Sequence, residues 1–204
     1  MSSSLESVSL ERHADRRRRQ LIRAASQVIE TEGIDSMRMP RVAELAGCTR
    51  SLVYHYFQTR EDLLVAVIEH FYEYLDERLE PAAQQLGLRS VADADAVRPL
   101  LEALWDTVIE VGAGGVILRT LPRSGSALNE RLTEIAVRFD QRWMDSLRSL
   151  GLSEIEARLA FRTAMAVHSE LLECHRQGEI TRDAAVALGQ RALAAVLSGL
   201  QAER

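Results

Sequence analysis

A chain of 204 residues with 47% apolar side chains can build a packed core, and its two cysteines, Cys48 and Cys174, are too few and too far apart for a disulfide framework or a Cys-rich zinc site. Aromatics are only 5% and Pro is scarce, while Ala, Leu, Glu and Arg dominate, so an all-α fold is expected; no run approaches the roughly 18 apolar residues that span a bilayer, and a cytoplasmic protein with no membrane partner is expected. The net charge of −5 is unevenly spread, because residues 1–60 carry ten Arg against seven acids while residues 61–204 carry fifteen against twenty-three, which points one end of the chain at a polyanion.

Residues 1–14 are polar and Ser-rich without a period, and are expected to form a flexible N-terminal arm. A first helix is predicted from Asp15 as N-cap to Glu32, with Leu21, Ile22, Ala25, Val28 and Ile29 on one face and Gly33 as its stop. Short helices over Met39–Ala46 and Arg50–Tyr56 flank Gly47, Cys48 and Thr49. Thr59 then caps a long helix with an apolar stripe of Leu64, Val67, Ile68, Phe71, Leu75 and Leu79, ending at Pro81. Val97, Leu100, Leu101, Leu104, Trp105 and Val108 repeat at helical spacing over 96–111, and Gly112 to Gly115 predict a break. Leu128 to Leu150 mark a further amphipathic helix closed by Gly151. Ser153 and Glu156 form a capping box opening a helix that runs to Gln177 and stops at Gly178, and Thr181 caps the last helix, which reaches Ala202.

The stretch Pro40 to Phe57 carries the chemistry. Two short helices crossing steeply need a small residue at the contact and a residue tolerant of positive φ in the turn, and Ala43 and Gly47 supply them. Val42, Leu45, Ala46 and Val53 are expected to face the core, with Thr49 capping the second helix so that Arg50 and Ser51 stand in its first turn. Val42-Ala43, Gly47-Cys48-Thr49, Tyr54-His55-Tyr56-Phe57 and Arg60, in that register, resemble the TetR family of regulators over residues 15–64. Cys48, Thr49 and Arg60 are mild departures from the usual Val, Ser and Lys, and Pro40 stands where a polar or basic residue is frequent.

The resemblance implies a three-helix DNA-binding domain with a helix-turn-helix over 15–60, followed by a helical ligand-binding and dimerisation domain over 61–204. It places Arg50, Ser51 and Tyr54 at base edges, and Thr49, His55, Tyr56 and Arg60 at phosphates. Arg is suited to guanine O6 and N7 together, so Arg50 is the expected specificity residue; core packing is the alternative for Tyr54 and Phe57. Arg16, Arg17, Arg18, Arg19 and Arg23 oppose the macrodipole if they open a helix, which suits a nearby phosphate chain, with a merely solvated basic face as the alternative.

In the second domain, Leu101, Trp105, Val108, Phe139, Trp143, Phe161, Met165 and His168 are the candidate effector-binding residues, with ordinary core packing as the alternative for each. Val167 and Cys174 with Ala185, Leu188, Gly189, Ala192 and Val196 are the candidate dimer contacts, on two helices that would form a four-helix interface. The implied function is a ligand-responsive regulator, repression being the family's common mode, that binds a palindromic DNA operator as a homodimer and is released by a small molecule, with the long fourth helix as the lever. A helical interaction module without sequence-specific DNA binding is the alternative. No Gly-rich phosphate loop, nucleophile elbow or metal-binding helix motif is present, and His168, Glu170, Glu173, Cys174 and His175 scatter over several helix faces, so neither an enzyme nor a metal or other cofactor is expected.

Overall fold

The computed structural model describes residues 2–87, 94–110, 112–114, 127–149 and 151–201. The helices are α1 (Ser2–Glu32), α2 (Met39–Leu45), α3 (Arg50–Tyr56), α4 (Arg60–Gly87), α5 (Ala94–Glu110), α6 (Ala127–Ser149), α7 (Glu154–Arg176) and α8 (Arg182–Gln201), with a single 3-10 turn at Ile34–Ser36. No strand occurs among the described residues, as the all-α expectation requires. The chain divides into two compact units, Met1–Glu73 with Val111–Ile135, and Tyr74–Glu110 with Ala136–Arg204. The first unit thus extends past the boundary expected at residue 60.

In the first unit, α1 presents Leu21, Ile22, Ala25, Val28 and Ile29 to a core that includes Val42, Ala43 and Ala46 of α2 and Val53 of α3. Leu63, Leu64, Val67 and Ile68 of α4, with Leu132 and Ile135 of α6, close the same core, which is why these segments belong with the helix-turn-helix. Each such side chain stabilises the unit by about 1.5–3 kcal/mol relative to leaving it in water. Two expectations are corrected here. Helix α1 begins at Ser2 instead of Asp15, because neither Gly nor Pro interrupts residues 2–32. Arg16 to Arg19 therefore lie well inside the helix, away from the N-terminal end of its dipole, and the macrodipole argument for an anionic partner falls away. Leu45 is 36% exposed, since it ends α2 on the side away from the core.

The start of α4 is held by a reciprocal cap. The Thr59 hydroxyl donates to Asp62 Oδ2 at 2.7 Å and accepts from the Asp62 N–H at 3.0 Å. Asp62 also accepts from Arg131 at 2.9 Å, tying α6 to this turn, and the Thr59 and Arg131 donors together hold its carboxyl below the usual carboxylate range. Helix α4 continues through Pro81 to Gly87, against the expectation that it stops there. Pro81 lies on the exposed side, so the Glu77 carbonyl that loses its donor still meets water, while Leu79 and Ala82 keep the apolar stripe buried. Residues 112–114 are helical where a glycine break was predicted; Gly115 lies outside the described residues. A side chain cannot be added at Gly114, because a Cβ there would overlap the Phe71 ring.

In the second unit, Val97, Leu101 and Trp105 of α5 pack with Ala157, Ala160 and Leu172 of α7 and with Ala185, Val186 and Leu197 of α8. Gly151 (φ 93°) and Gly178 (φ 76°) take the left-handed conformation that ends α6 and α7. The capping box at α7 forms as the sequence predicts, with the Ser153 N–H donating to Glu156 Oε2 at 2.6 Å and the Glu156 N–H donating to Ser153 Oγ at 3.4 Å. Arg182 donates to Asp106 at 2.7 Å, fastening the start of α8 to α5.

Candidate nucleic-acid interface and effector cavity

The turn between α2 and α3 is built as its sequence demands. Gly47 has φ 62°, a conformation costly for any residue with a Cβ, and its N–H donates to Glu44 O at 3.1 Å. Thr49 then caps α3, its Oγ1 accepting from the Leu52 N–H at 3.3 Å. Val53 is fully buried and Phe57 nearly so, which fixes the rotation of α3 and leaves Thr49, Arg50, Ser51, Tyr54 and His55 on the outer face. Tyr54 is 51% exposed, so core packing does not account for it, whereas it does account for Phe57. Tyr56 is half-buried and stacks edge-on to His55, ring centroids 5.2 Å apart.

Arg17, Arg18, Arg41 and Arg60 are engaged within the unit, whereas Arg16, Arg19 and Arg23 are exposed on α1. Arg60 donates from Nε to Met37 O at 2.8 Å and from Nη2 to Ile34 O at 2.7 Å, satisfying the end of the 3-10 turn. Arg18 lies over the Phe57 ring at 5.3 Å, and Arg17 donates to Gln20 Oε1 at 2.8 Å. Gln20 in turn donates to Ala46 O at 3.0 Å, bracing the C-terminal end of α2. Arg41 is paired with Glu32 and Glu44, which keep it fully protonated and push the Glu32 carboxyl below its usual range. Arg38 and Arg50 share an open concavity with Pro40, Ala43 and Cys48. Arg38, exposed immediately before α2, is not among the residues singled out from the sequence; a basic residue two positions before Pro40 is the signal available there.

The second unit encloses a cavity of about 310 Å³ between α4, α5, α6, α7 and α8. Of the candidate effector residues, Leu101, Phe139, Trp143, Phe161 and Met165 line it. Trp105 and His168 instead face a void of about 10 Å³, room for no more than a water, and Val108 packs against the core. The sequence reading missed Leu79, Glu80, Gln84, Leu104 and Ser146 on the cavity wall. His168 is buried beside Trp105, ring centroids 5.3 Å apart, with neither ring nitrogen hydrogen-bonded. Burial, assisted by Arg176, lowers its pKa to about 4, so it is neutral at pH 7.

The residues offered as dimer contacts divide. Ala185 and Gly189 are buried within the chain, and a Cβ on Gly189 would touch Leu171 and Leu101. Val167 and Ala192 line the small void, Val196 packs on the core, and Cys174 is half-buried. Leu188 is exposed, and the large exposed apolar residues of α7 are Ile155 and Leu159, at 68% and 51%. Their spacing of four residues, continued by the exposed Arg162 and Ala166, was legible in the sequence as a face of its own.

Residues 21–67, which span α1 from Leu21 through α3 into α4, match the family model described as bacterial regulatory proteins, tetR family. Over these residues the chain is similar to the tetR family. The chain is similar to the HTH-type transcriptional repressor NicS of Pseudomonas putida, with 31% identity over 46% of this chain and 42% of that protein. It is also similar to the HTH-type transcriptional regulator BetI of Yersinia pestis, with 30% identity over 44% of each chain. The alignments thus span less than half the length of these curated relatives. Among solved structures, the chain shares its fold with a TetR-family transcriptional regulator from Rhodococcus sp. (TM-score 0.71, 21% identity, 89% of this chain and 98% of that one). FadR from Bacillus subtilis, solved with stearoyl-CoA, gives a TM-score of 0.67 at 20% identity, covering 88% of this chain and 97% of that one. No described helix is long and apolar enough to cross a membrane.

Proposed function

We propose that this chain is a tetR-family transcriptional repressor that binds a palindromic DNA operator as a homodimer and leaves it when a small molecule occupies the second unit. The observation that carries the reading is the outward row on α3: Arg50, Ser51, Tyr54 and His55 stand exposed on a helix whose opposite face is locked by buried Val53 and Phe57. A short rigid helix of this kind fits the major groove, with Arg50 able to bond guanine O6 and N7 and Tyr54 able to reach a neighbouring base. Arg38 lies on the same side of the turn, in the concavity it shares with Arg50, and supplies a phosphate contact. Arg17, Arg18 and Arg60 act chiefly by holding the helix-turn-helix in shape, with phosphate contact left to the parts of each guanidinium not already engaged.

One recognition helix reads only a few base pairs, so two are needed, about 34–36 Å apart on a two-fold site. The exposed apolar face of Ile155 and Leu159 on α7, with Leu188 on α8, supports a symmetric interface made by those two helices. The names of NicS and BetI support regulation of transcription, and the stearoyl-CoA in FadR supports effector binding in a fold of this kind. Selection of random duplexes by the purified chain tests the proposal. Enrichment of one palindrome, bound by a protein sedimenting as a dimer, is the expected result; enrichment of no sequence above random would overturn it.

A further inference from the structure

The 310 Å³ cavity lies at the small end of the range of about 300–1,000 Å³ seen for small-molecule sites, so its occupant is compact. Most of its wall is apolar or aromatic, from Leu101, Leu104, Phe139, Trp143, Phe161 and Met165. Among the described lining residues the ionisable group is Glu80, and no Arg or His accompanies it on the wall. Glu80 is held in place by Gln84, which donates to Oε1 at 3.0 Å, and by Arg142, which donates to Oε2 at 2.7 Å. These donors keep its carboxyl below the usual range and hence ionised at neutral pH. Arg142 also serves Asp76 Oδ2 at 2.8 Å, while Asp76 Oδ1 is buried without a donor. Asp76 and Arg142 stand behind the wall, so two carboxylates around a single guanidinium leave this edge one charge negative, while Trp143 brings to the wall a buried Nε1–H without a partner.

We infer that the cavity selects a compact apolar molecule bearing a protonated amine or, less strongly, a neutral hydrogen-bond donor, and rejects a carboxylate or phosphate. This rests on the reading of the second unit as the effector site and sharpens it. An anion entering here would face Glu80 with no cation on the described wall to offset its lost hydration. An ammonium gains the Glu80 carboxylate and the π faces of Phe139, Trp143 and Phe161. Glu80 likewise accepts from a neutral N–H or O–H, and the unpartnered Trp143 Nε1–H can donate to a hydroxyl oxygen.

The test uses the full chain and three probes of one skeleton, 4-phenylbutylamine, 4-phenylbutanol and 4-phenylbutyrate, followed at pH 7.4 by titration calorimetry and by quenching of Trp143, with Trp143→Phe as the control for the reporter. The amine is expected to bind at least tenfold more tightly than the carboxylate, with the alcohol between them. Glu80→Gln, which keeps shape and hydrogen-bonding capacity, is expected to weaken the amine at least fivefold and leave the alcohol within twofold. A carboxylate that binds as well as the amine, absence of saturable binding by amine and alcohol alike, or an amine preference that survives Glu80→Gln would each overturn the inference. The regulatory reading is judged separately, on the selected duplex: binding in the expected order with no effect on that duplex would sink effector release and leave the ligand class standing.

Discussion

His168 is the sharpest place to ask whether the second unit's core is as dry as its packing implies. Both ring nitrogens are buried without hydrogen bonds, and the pKa falls from its ordinary 6.5 to about 4, chiefly through burial. Folding therefore holds the imidazole neutral, whereas the unfolded chain takes up a proton as pH drops below 6.5. The stability tied to this group is complete above that value and is lost as pH falls toward the folded-state pKa. For these two values the linkage amounts to about 2 kcal/mol at pH 5, of the roughly 3 kcal/mol available at still lower pH. His168→Leu is close in volume and removes both orphaned nitrogens, each of which costs about 1–3 kcal/mol, while it gives up a ring contact with Trp105 worth about 0.5–1.5 kcal/mol. The variant should thus be at least as stable as the parent at pH 7. Urea unfolding at pH 7 and pH 5, followed by Trp105 fluorescence in a Trp143→Phe background, should show the variant losing about 2 kcal/mol less than the parent between the two conditions. Equal losses in both proteins would refute the reasoning, since the titrating group would then lie elsewhere.

Gly114→Ala should destabilise the first unit by about 1–3 kcal/mol, because the added methyl overlaps the Phe71 ring; thermal unfolding measures it, and the same substitution should cost less in a Phe71→Ala background, which lacks the overlapping Cγ. Arg60→Ala should cost about 2 kcal/mol of stability in urea by stripping donors from the Ile34 and Met37 carbonyls, and Arg60→Lys should recover only part of it, since one ammonium cannot repeat the fork. Arg50→Ala should leave stability within about 0.5 kcal/mol yet relax a single operator position by about 1–3 kcal/mol in competition binding. Leu159→Asp should leave helicity by circular dichroism unchanged and shift sedimentation toward a monomer, because it places a charge in the exposed apolar face of α7.

Local chemistry explains which features the sequence discloses. Gly47, Thr49, Ser153 with Glu156, and Gly178 each mark a helix end through a bond or a backbone conformation confined to a few residues, and every one is found where it was expected. The start of α1 was misread because Ser-rich composition suggests an arm, while the absence of Gly and Pro lets the helix run on from Ser2. Pro81 misled for the converse reason: its penalty is softened on an exposed helix face. Helical spacing likewise says that Leu101, Trp105 and Val108 turn inward without saying whether facing side chains leave room, so one lines a cavity, one a near-filled void and one packed core. Ala185 and Gly189 show the same limit, for small residues permit a close neighbour without naming it, and here the neighbours of Gly189 are Leu101 and Leu171 of the same chain.

The charge count of the first 60 residues has a similar ambiguity, which the structure removes. Ten Arg over this stretch read as a general attraction for phosphate, yet Arg17, Arg18, Arg41 and Arg60 each have an internal partner in a side chain, a ring or a backbone carbonyl. A guanidinium bound to a neutral carbonyl or to an aromatic face keeps its charge and still contributes to the long-range field, but it is not at liberty to follow a phosphate. Arg41 differs again, because Glu32 and Glu44 more than cancel it. Arg38 and Arg50 are exposed and share one concavity at the turn, and Arg16, Arg19 and Arg23 are exposed on α1. The salt dependence of DNA binding should accordingly be shallower than ten cations would give, and removal of Arg38 should lower the slope more than removal of Arg17, a comparison that separates cations which face DNA from cations which build the surface that does.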